Sequence, residues 1–520
     1  MNRNEHLHRL RGMSEPFDVI VVGGGATGLS AALDAASRGH SVLLLERQDF
    51  AKGTSSRSTK LVHGGVRYLR QGNISLVREA LRERAFLCQN APHLVHARDF
   101  IIPITRWWQA PFYRIGLKVY DALAGKLGMV PSRWLNAAGV VESLPGLKRE
   151  GILGGVVYQD GQFDDSRLAL TLARTAAAKG ATVLNYCICE GLLKTNGRVT
   201  GVRATDVETG QTHEIQGRCV INATGVFVDE LRQMDDAAAA PLLRVSQGIH
   251  LVVPAAFLPG ERALMVPETD DGRVFFAVPW HGRVILGTTD TPVAGATVEP
   301  QAQEEEIEFI LTHAARFLAQ PPQRSDVLSV FAGLRPLVQK GAATRTAALS
   351  RDHLIQVSIS GMITITGGKW TTCRKMAEDV IHQAEKSAGL QARPCVTRSL
   401  PLQGSTTAAP TAEHLRVYGS EAAQILQIAQ SDPALARPLH ERLPYLRAEV
   451  VWQVRHEMAR TVEDVLARRT HALLLDARAS LAVAADVAEL MGRELGWSAA
   501  ARSQSAHSFR EMAKAYLLPV

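Results

Sequence analysis

Three glycines at G-x-G-x-x-G spacing, Gly23, Gly25 and Gly28, sit inside FDVIVVGGGATGLSAALDAASRGHSVLLLE, residues 17–46. An apolar, β-branched run precedes them, an Ala-rich stretch follows, and a second apolar run ends in Glu46. This set can hold the pyrophosphate of a dinucleotide. Gly23 permits the tight turn, Gly25 lets the backbone approach the phosphates, and Gly28 lets helix and strand pack closely. The helix that follows aims free N–H groups and the positive end of its dipole at the anion. Glu46 stands where a carboxylate can hold the two hydroxyls of an adenosine ribose, and it would repel a 2′-phosphate. FAD and NAD both satisfy these residues, and the fingerprint alone does not separate them. A glycine turn with no ligand would require strand, helix, second strand and terminal acid to coincide without cause.

Directly downstream, TSSRSTKLVHGGVRYLRQGN (54–73) is dense in hydroxyls, cations and glycine. It follows the second strand of the nucleotide unit, at the edge where open α/β sheets gather ligands. Its hydroxyls are placed to hold a cofactor, and Arg67 to hold an anionic substrate; a solvated basic loop has the same composition. Three later stretches carry related chemistry. In CVINATG (219–225) a buried strand runs into small residues, Ala223 and Gly225, that permit close approach across its end. In VFAGLRPLV (330–338) Arg335 sits between a glycine and a proline, and Arg351 follows in ALSRDHLI. In ITITGGKWTTCRKMAEDVI (363–381) strand, glycine turn and helix recur, with Gly367 and Gly368 at a helix N-terminus and Lys369 in its first turn, an anion site. His250 lies on a strand. A lone strand histidine is usually structural, but one facing a cofactor can act as acid or base.

Metal and thiol chemistry are not expected. The six cysteines, Cys88, Cys187, Cys189, Cys219, Cys373 and Cys395, form no C-x-x-C pair, and their scarcity suits a reducing cytoplasm. His456-Glu457 lacks the second histidine of a zinc motif.

The elements that must position these residues follow from pattern. The expected fold is α/β: a Rossmann-like nucleotide domain, an antiparallel-sheet substrate domain and a helical C-terminal domain. Residues 1–70, 150–240 and 330–400 are expected in the first and 71–149 and 241–329 in the second. QGSTTAAPTA gives a linker at 401–412, and 413–520 reads as helical, including one charged helix over 454–470. Helices are expected at 74–88, 168–179 and 304–318, with Asp164, Asp165 or Ser166 capping the second. Turns at Asn196-Gly197 and Thr209-Gly210 predict a small hairpin set. Residues 105–128 combine aromatics, cations and a helical period. A packed amphipathic helix, a membrane-surface contact and a base-stacking surface share that pattern, and the packed helix is the expectation.

At 520 residues the chain has length for several domains, and 46% hydrophobic with 21% charged residues is ordinary for a globular protein. The net charge of +7 suits anionic substrates or a membrane surface. No dense basic block with interleaved aromatics is present, so nucleic acid is not an expected partner. The polar, basic N-terminus has no apolar core of signal-peptide type, and no apolar run is long enough to span a bilayer.

Taken together, VVGGGATG, TSSRSTKLVHGGVRYL, INATGVFVD, FAGLRPL, TGGKWTT and RHEMARTVEDVLARR resemble the respiratory, FAD-dependent glycerol-3-phosphate dehydrogenases over nearly the whole chain. The second and fifth are far more specific than the opening fingerprint. The resemblance implies FAD, oxidation of sn-glycerol 3-phosphate to dihydroxyacetone phosphate, and a membrane quinone as acceptor. It also implies a cytoplasmic enzyme bound peripherally to the inner face of the membrane, often as a homodimer. By the same resemblance Gly23, Gly25, Gly28 and Glu46 belong to the FAD motif. Thr54, Ser55, Ser58, Lys60, Ala223, Gly225, Gly367 and Gly368 lie along the cofactor. Arg67, Arg335, Arg351 and Lys369 are the cations around substrate. His63 and His250 are candidates for the base, with His250 favoured and Arg335 stabilising the alkoxide or carbonyl oxygen. An oxidase of the same substrate, an amine or amino-acid oxidase, and a non-catalytic flavin-binding scaffold are the rival expectations. They are separated by peroxide formation, by a carboxylate in place of the phosphate, and by failure of any polyol phosphate to bleach the flavin.

Overall fold

The computed structural model describes residues 1–65, 73–269, 272–339, 353–408 and 412–519. The opening unit forms as its pattern dictates. Val19–Val22 and Val42–Leu45 are fully buried strands, and Ala26–Ser37 is the helix between them. They belong to a six-stranded sheet ordered His353–Val357, Ile363–Gly367, Val220–Asn222, Val19–Val22, Val42–Leu45, Thr182–Leu184. All neighbours are parallel except the first pair. Such a sheet must be covered on both faces, which is why its strands read as unbroken apolar runs. Ala26–Ser37 packs against Cys373–Ala388 and Asp165–Ala178, its alanines allowing close approach within one apolar cluster.

Beside it, Cys187–Thr195, Arg198–Asp206 and Thr212–Gln216 form an antiparallel sheet. Asn196 (φ 50°) and Gly197 (φ 76°) turn the first hairpin with both central residues left-handed, the geometry that an Asn-Gly pair favours.

A ten-stranded sheet makes the second layer. Its longest strand, Leu243–Pro254, pairs with Ser329–Val338 on one side and Arg283–Gly287 on the other. Gly154–Phe163 and most of Ser329–Val338 fall in stretches assigned to the nucleotide domain, yet both hydrogen-bond into this larger sheet, as does Leu61–Val62. The reason is non-local: Gly154–Phe163 finds an antiparallel partner along all of Val95–Ile104, and nothing within its own residues names that partner.

The C-terminal part is mostly helical but carries a two-stranded ribbon, Pro438–His440 with Leu443–Leu446. Its core continues into the large sheet through Val252, Trp280, Ile285 and Phe331. The expected linker is no free tether over 401–408: Leu402 is buried and donates its N–H to the Asn90 carbonyl, and Gln403 N–H donates to Thr175 Oγ1. The single helix expected over 454–470 is broken. Arg447–His456 ends at Glu457, Met458 takes φ 52°, and a separate wide turn winds Asp464–Arg469. Buried ion pairing accounts for the break. Glu457 accepts from both guanidinium ends of Arg167 at 2.7 and 2.8 Å, and Asp49 receives Arg468 and Arg469.

The helix Gln109–Ala124 also departs from expectation. Only Leu117 and Tyr120 are buried, while Trp107, Trp108, Phe112, Ile115 and Val119 are exposed. No described helix is long and apolar enough to cross a membrane.

Candidate functional site

A cavity of about 450 Å³ opens at the carboxyl ends of the parallel strands. Gly23, Gly25, Glu46, Thr54, Ser55, Ala223, Gly225, Gly367, Gly368 and Lys369 all line it. Its volume lies within the range of small-molecule sites, about 300–1,000 Å³. The glycines are required by contact. Gly23 has φ 114°, and a Cβ on Gly28 would fall 1.9 Å from the Gly23 carbonyl. Gly25 caps the helix with no side chain of its own, so the backbone of its first turn can be approached closely by a ligand.

Ser55 ties the two glycine turns together. Its hydroxyl accepts from Ala26 N–H at 2.9 Å in the first, and its carbonyl accepts from Trp370 Nε1 at 2.9 Å beside the second. Glu46 accepts from Gly24 N–H at 2.7 Å and Gln48 N–H at 2.8 Å, and burial raises its pKa from the usual carboxylate range. Thr54 donates to the Leu334 carbonyl at 2.7 Å, joining the cofactor loop to the strand that carries Arg335.

His250 and Arg335 lie on that large sheet. Ser246 is opposite Arg335 in the ladder, and Ser246 and His250 are an even number of residues apart, so His250 and Arg335 share one face. Close approach on this face depends on glycine: a Cβ on Gly248 would strike the Arg335 guanidinium at 2.1 Å, and one on Gly287 would strike the His250 ring at 2.4 Å. Arg335 donates to the Thr289 carbonyl at 2.9 Å, to the Gln247 carbonyl at 3.1 Å, and to Thr288 Oγ1 and Asp290 Oδ1 at 3.2 Å. Its neighbour Pro336 lines the cavity. His250 is buried, stacks on Phe331 at 4.8 Å, and bonds Thr59 Oγ1 through Nε2 at 2.9 Å. Burial first, then Arg335 and Lys60, hold its pKa well below the usual imidazole range. The ring is neutral at pH 7.

The other expected site residues divide. His63 is half-buried, and its carbonyl accepts from the Thr371 hydroxyl at 3.5 Å, which sets it near the second glycine turn. Ser58 and Lys60, expected along the cofactor, are drawn off instead to Asp165 and do not line the cavity. Ser58 reaches Asp165 Oδ2 through N–H at 3.1 Å and hydroxyl at 2.7 Å, and Lys60 Nζ, wholly buried, lies 2.7 and 2.8 Å from the two carboxylate oxygens. A buried ammonium needs a charge partner, and this carboxylate is the one supplied. Arg67 and Arg351 lie outside the described residues.

Sequence reasoning missed Thr59 and Asp290, which touch His250 and Arg335, and gave Asp165 only a capping role; Asp164 makes the cap by accepting from Arg167 N–H. Asp165 shares the residue types of a helix cap, and Thr59 is one of five serine and threonine hydroxyls in its loop, so no local signal marks either. The lining strand Cys187–Thr195 was likewise read only as part of a hairpin, although Cys187 and Cys189 face the cavity.

A family model described as FAD dependent oxidoreductase matches residues 18–374, and one described as the C-terminal domain of alpha-glycerophosphate oxidase matches residues 359–502. Among curated proteins the chain is 42% identical to the mitochondrial glycerol-3-phosphate dehydrogenase of Homo sapiens, over 95% of this chain and 73% of that one. Among solved structures it superposes on glycerol-3-phosphate dehydrogenase from Bacillus halodurans, complexed with FAD, at a TM-score of 0.81 and 30% identity, covering 100% of this chain and 98% of that one. Glycine oxidase from Geobacillus kaustophilus, at 20% identity and a TM-score of 0.53, covers 76% of this chain and 100% of its own, and shares the fold.

Proposed function

From the premise that the chain belongs to the FAD-dependent glycerol-3-phosphate dehydrogenase family, we propose that it oxidises sn-glycerol 3-phosphate to dihydroxyacetone phosphate and passes the electrons to a quinone. The observation that carries this reading is the union of a dinucleotide cradle with an imidazole and a guanidinium that share one face of the adjoining sheet. The cradle fits FAD: two glycine turns bridged by Ser55, a helix N-terminus headed by Gly25 for the pyrophosphate, and Glu46 at the ribose end.

Bound there, the flavin supplies the two-electron acceptor that no side chain can provide. The chain's own residues bind and orient the substrate and move its hydroxyl proton. Lys369, with Arg67 and Arg351, pairs the phosphate dianion, for which forked guanidinium donors and an ammonium are suited. Neutral His250 is the proposed base for the carbinol proton, which reaches the ring at Nε2, beside Thr59 Oγ1, since Nδ1 is sealed from solvent. Arg335, held by Thr288, Thr289 and Asp290, stabilises the alkoxide as charge develops and the carbonyl oxygen after it.

A peripheral membrane setting is part of the proposal. The exposed apolar face of Gln109–Ala124, with Trp107 and Trp108 at its start, is rimmed by the exposed cations Arg106, Arg114, Lys118 and Arg133. An apolar stripe with aromatic anchors and a basic rim fits an anionic lipid surface, where a quinone is dissolved.

Arg335→Ala tests the site. It is expected to lower turnover with sn-glycerol 3-phosphate by about 100-fold or more while FAD stays bound, the scale of removing a transition-state donor. Loss of FAD with retained turnover per flavin would take Arg335 out of the substrate role.

A further inference from the structure

His250 makes a single hydrogen bond among the described residues. Nε2 meets Thr59 Oγ1 at 2.9 Å, while Nδ1 is sealed from solvent with no partner. The rest of its surroundings have little directional preference. Phe331 stacks on the ring with 18° between planes, and Gly287 crowds its Cδ2 edge. A stacked imidazole can turn over about χ2, exchanging each nitrogen with a carbon of similar size, and packing alone barely distinguishes the two poses. The hydrogen bond on one ring nitrogen settles the pose. Here that bond comes from Thr59.

Thr59 is itself held from both sides. Ser58 donates N–H and hydroxyl to Asp165 Oδ2, and Lys60 Nζ grips both Asp165 oxygens and the Ser56 carbonyl at 2.7 Å. Lys60 N–H also returns to Ser58 Oγ at 3.0 Å, closing a tight turn in which Lys60 takes φ 63°. Asp165 heads a buried helix and contributes nothing to the cavity lining. An anion and a cation buried together in a small turn fix the backbone on either side of one threonine, whose hydroxyl points at the imidazole.

We propose that Thr59 is a positioning residue for the reaction: its hydroxyl orients the His250 ring, and Asp165 orients Thr59 by clamping Ser58 and Lys60. The inference rests on His250 acting as the base. It accounts for two residues of the TSSRSTK loop that turn away from the cofactor cleft, since their task is to present the residue between them. The charged groups that face the ring, Lys60 from this loop and Arg335 from Ser329–Val338, stay in place when only the Thr59 hydroxyl is removed.

The test compares Thr59→Val, Thr59→Ser, His250→Gln and the Thr59→Val/His250→Gln pair in the FAD-loaded enzyme with sn-glycerol 3-phosphate. Valine keeps threonine's shape without the hydroxyl, so FAD content and Tm are expected to stay at wild-type values. General-base catalysis contributes roughly 10²–10⁴-fold, and a misoriented ring forfeits part of that. Thr59→Val is therefore expected to lower kcat about 10–100-fold with KM within about threefold, while Thr59→Ser stays within about threefold of wild type. The pair is expected to be no slower than His250→Gln alone, because one effect acts through the other. Thr59→Val turning over like wild type while His250→Gln fails would overturn the positioning role. The same holds if Thr59→Val and His250→Gln multiply in the pair. Full turnover by His250→Gln would remove the base assignment beneath the inference, a failure read from a different variant.

Discussion

His250 carries a pH signature of its own. Its pKa is pushed below the usual value near 6.5 by burial, then by Arg335 and Lys60, so the ring binds a proton only at acid pH. Flavin reduction by substrate is thus expected to be flat as pH falls from 8 toward about 6.5, with its acid limb lying lower still; stopped-flow absorbance across that range checks it. An acid limb at or above about 6.5 would mean a base in ordinary surroundings, which His250 is not. Residue by residue, the cofactor half of the site could be read from type and spacing. Gly23 and Gly28 are forced by a left-handed turn and a 1.9 Å approach, requirements that glycine alone meets, so the letter itself carries the geometry. The substrate half was less readable. Ser58 and Lys60 have the composition of cofactor ligands but serve Asp165, and that partner lies over a hundred residues away.

At the scale of elements, local pattern sufficed where periodicity or turn residues set the element itself, even though Val19–Val22 pairs with Val220–Asn222 and Ala26–Ser37 packs on Cys373–Ala388. Val19–Val22, Ala26–Ser37 and the Asn196-Gly197 hairpin formed as their periodicity and turn residues required. It failed where a remote partner decides which sheet a strand joins or where a helix stops. Gly154–Phe163 joined the large sheet through Val95–Ile104, and the helix expected over 454–470 broke where Glu457 turned to Arg167. Gln109–Ala124 has the periodicity of a packed helix but leaves its apolar face in the open. On the lipid-surface reading, replacing Trp107, Trp108, Phe112 and Ile115 together by serine is expected to release the enzyme from anionic vesicles in sedimentation, while turnover with a soluble electron acceptor is retained. Unchanged vesicle binding would move the contact elsewhere on the molecule.

The whole molecule is held together across its layers by buried charge. Arg167, on the helix covering the parallel sheet, meets Glu457 of the C-terminal part, and Asp49, beside the second strand, meets Arg468 and Arg469. Glu457 is fully buried, with its pKa pulled down to about 2, against burial, by the charge and hydrogen bonds of Arg167 and then by Arg174 and Arg469. Its folded pKa lies below the unfolded one, so its contribution is fully present above about pH 4.5 and fades as pH falls toward about 2. That contribution is on the order of 3 kcal/mol. Glu457→Gln is expected to lower Tm at pH 7, with the gap to wild type narrowing as pH drops below about 4.5. A gap that stays constant with pH would assign the loss to packing instead of charge.

The proposed reaction has a direct reporter in the flavin's own colour. Mixed anaerobically with sn-glycerol 3-phosphate, the yellow holoenzyme is expected to bleach stoichiometrically, and to recover its absorbance when a quinone is added. Glycerol, which lacks the phosphate that Lys369 and its companion arginines are proposed to hold, is expected to bleach it far more slowly. A flavin that stays oxidised in saturating sn-glycerol 3-phosphate would contradict the account at its centre.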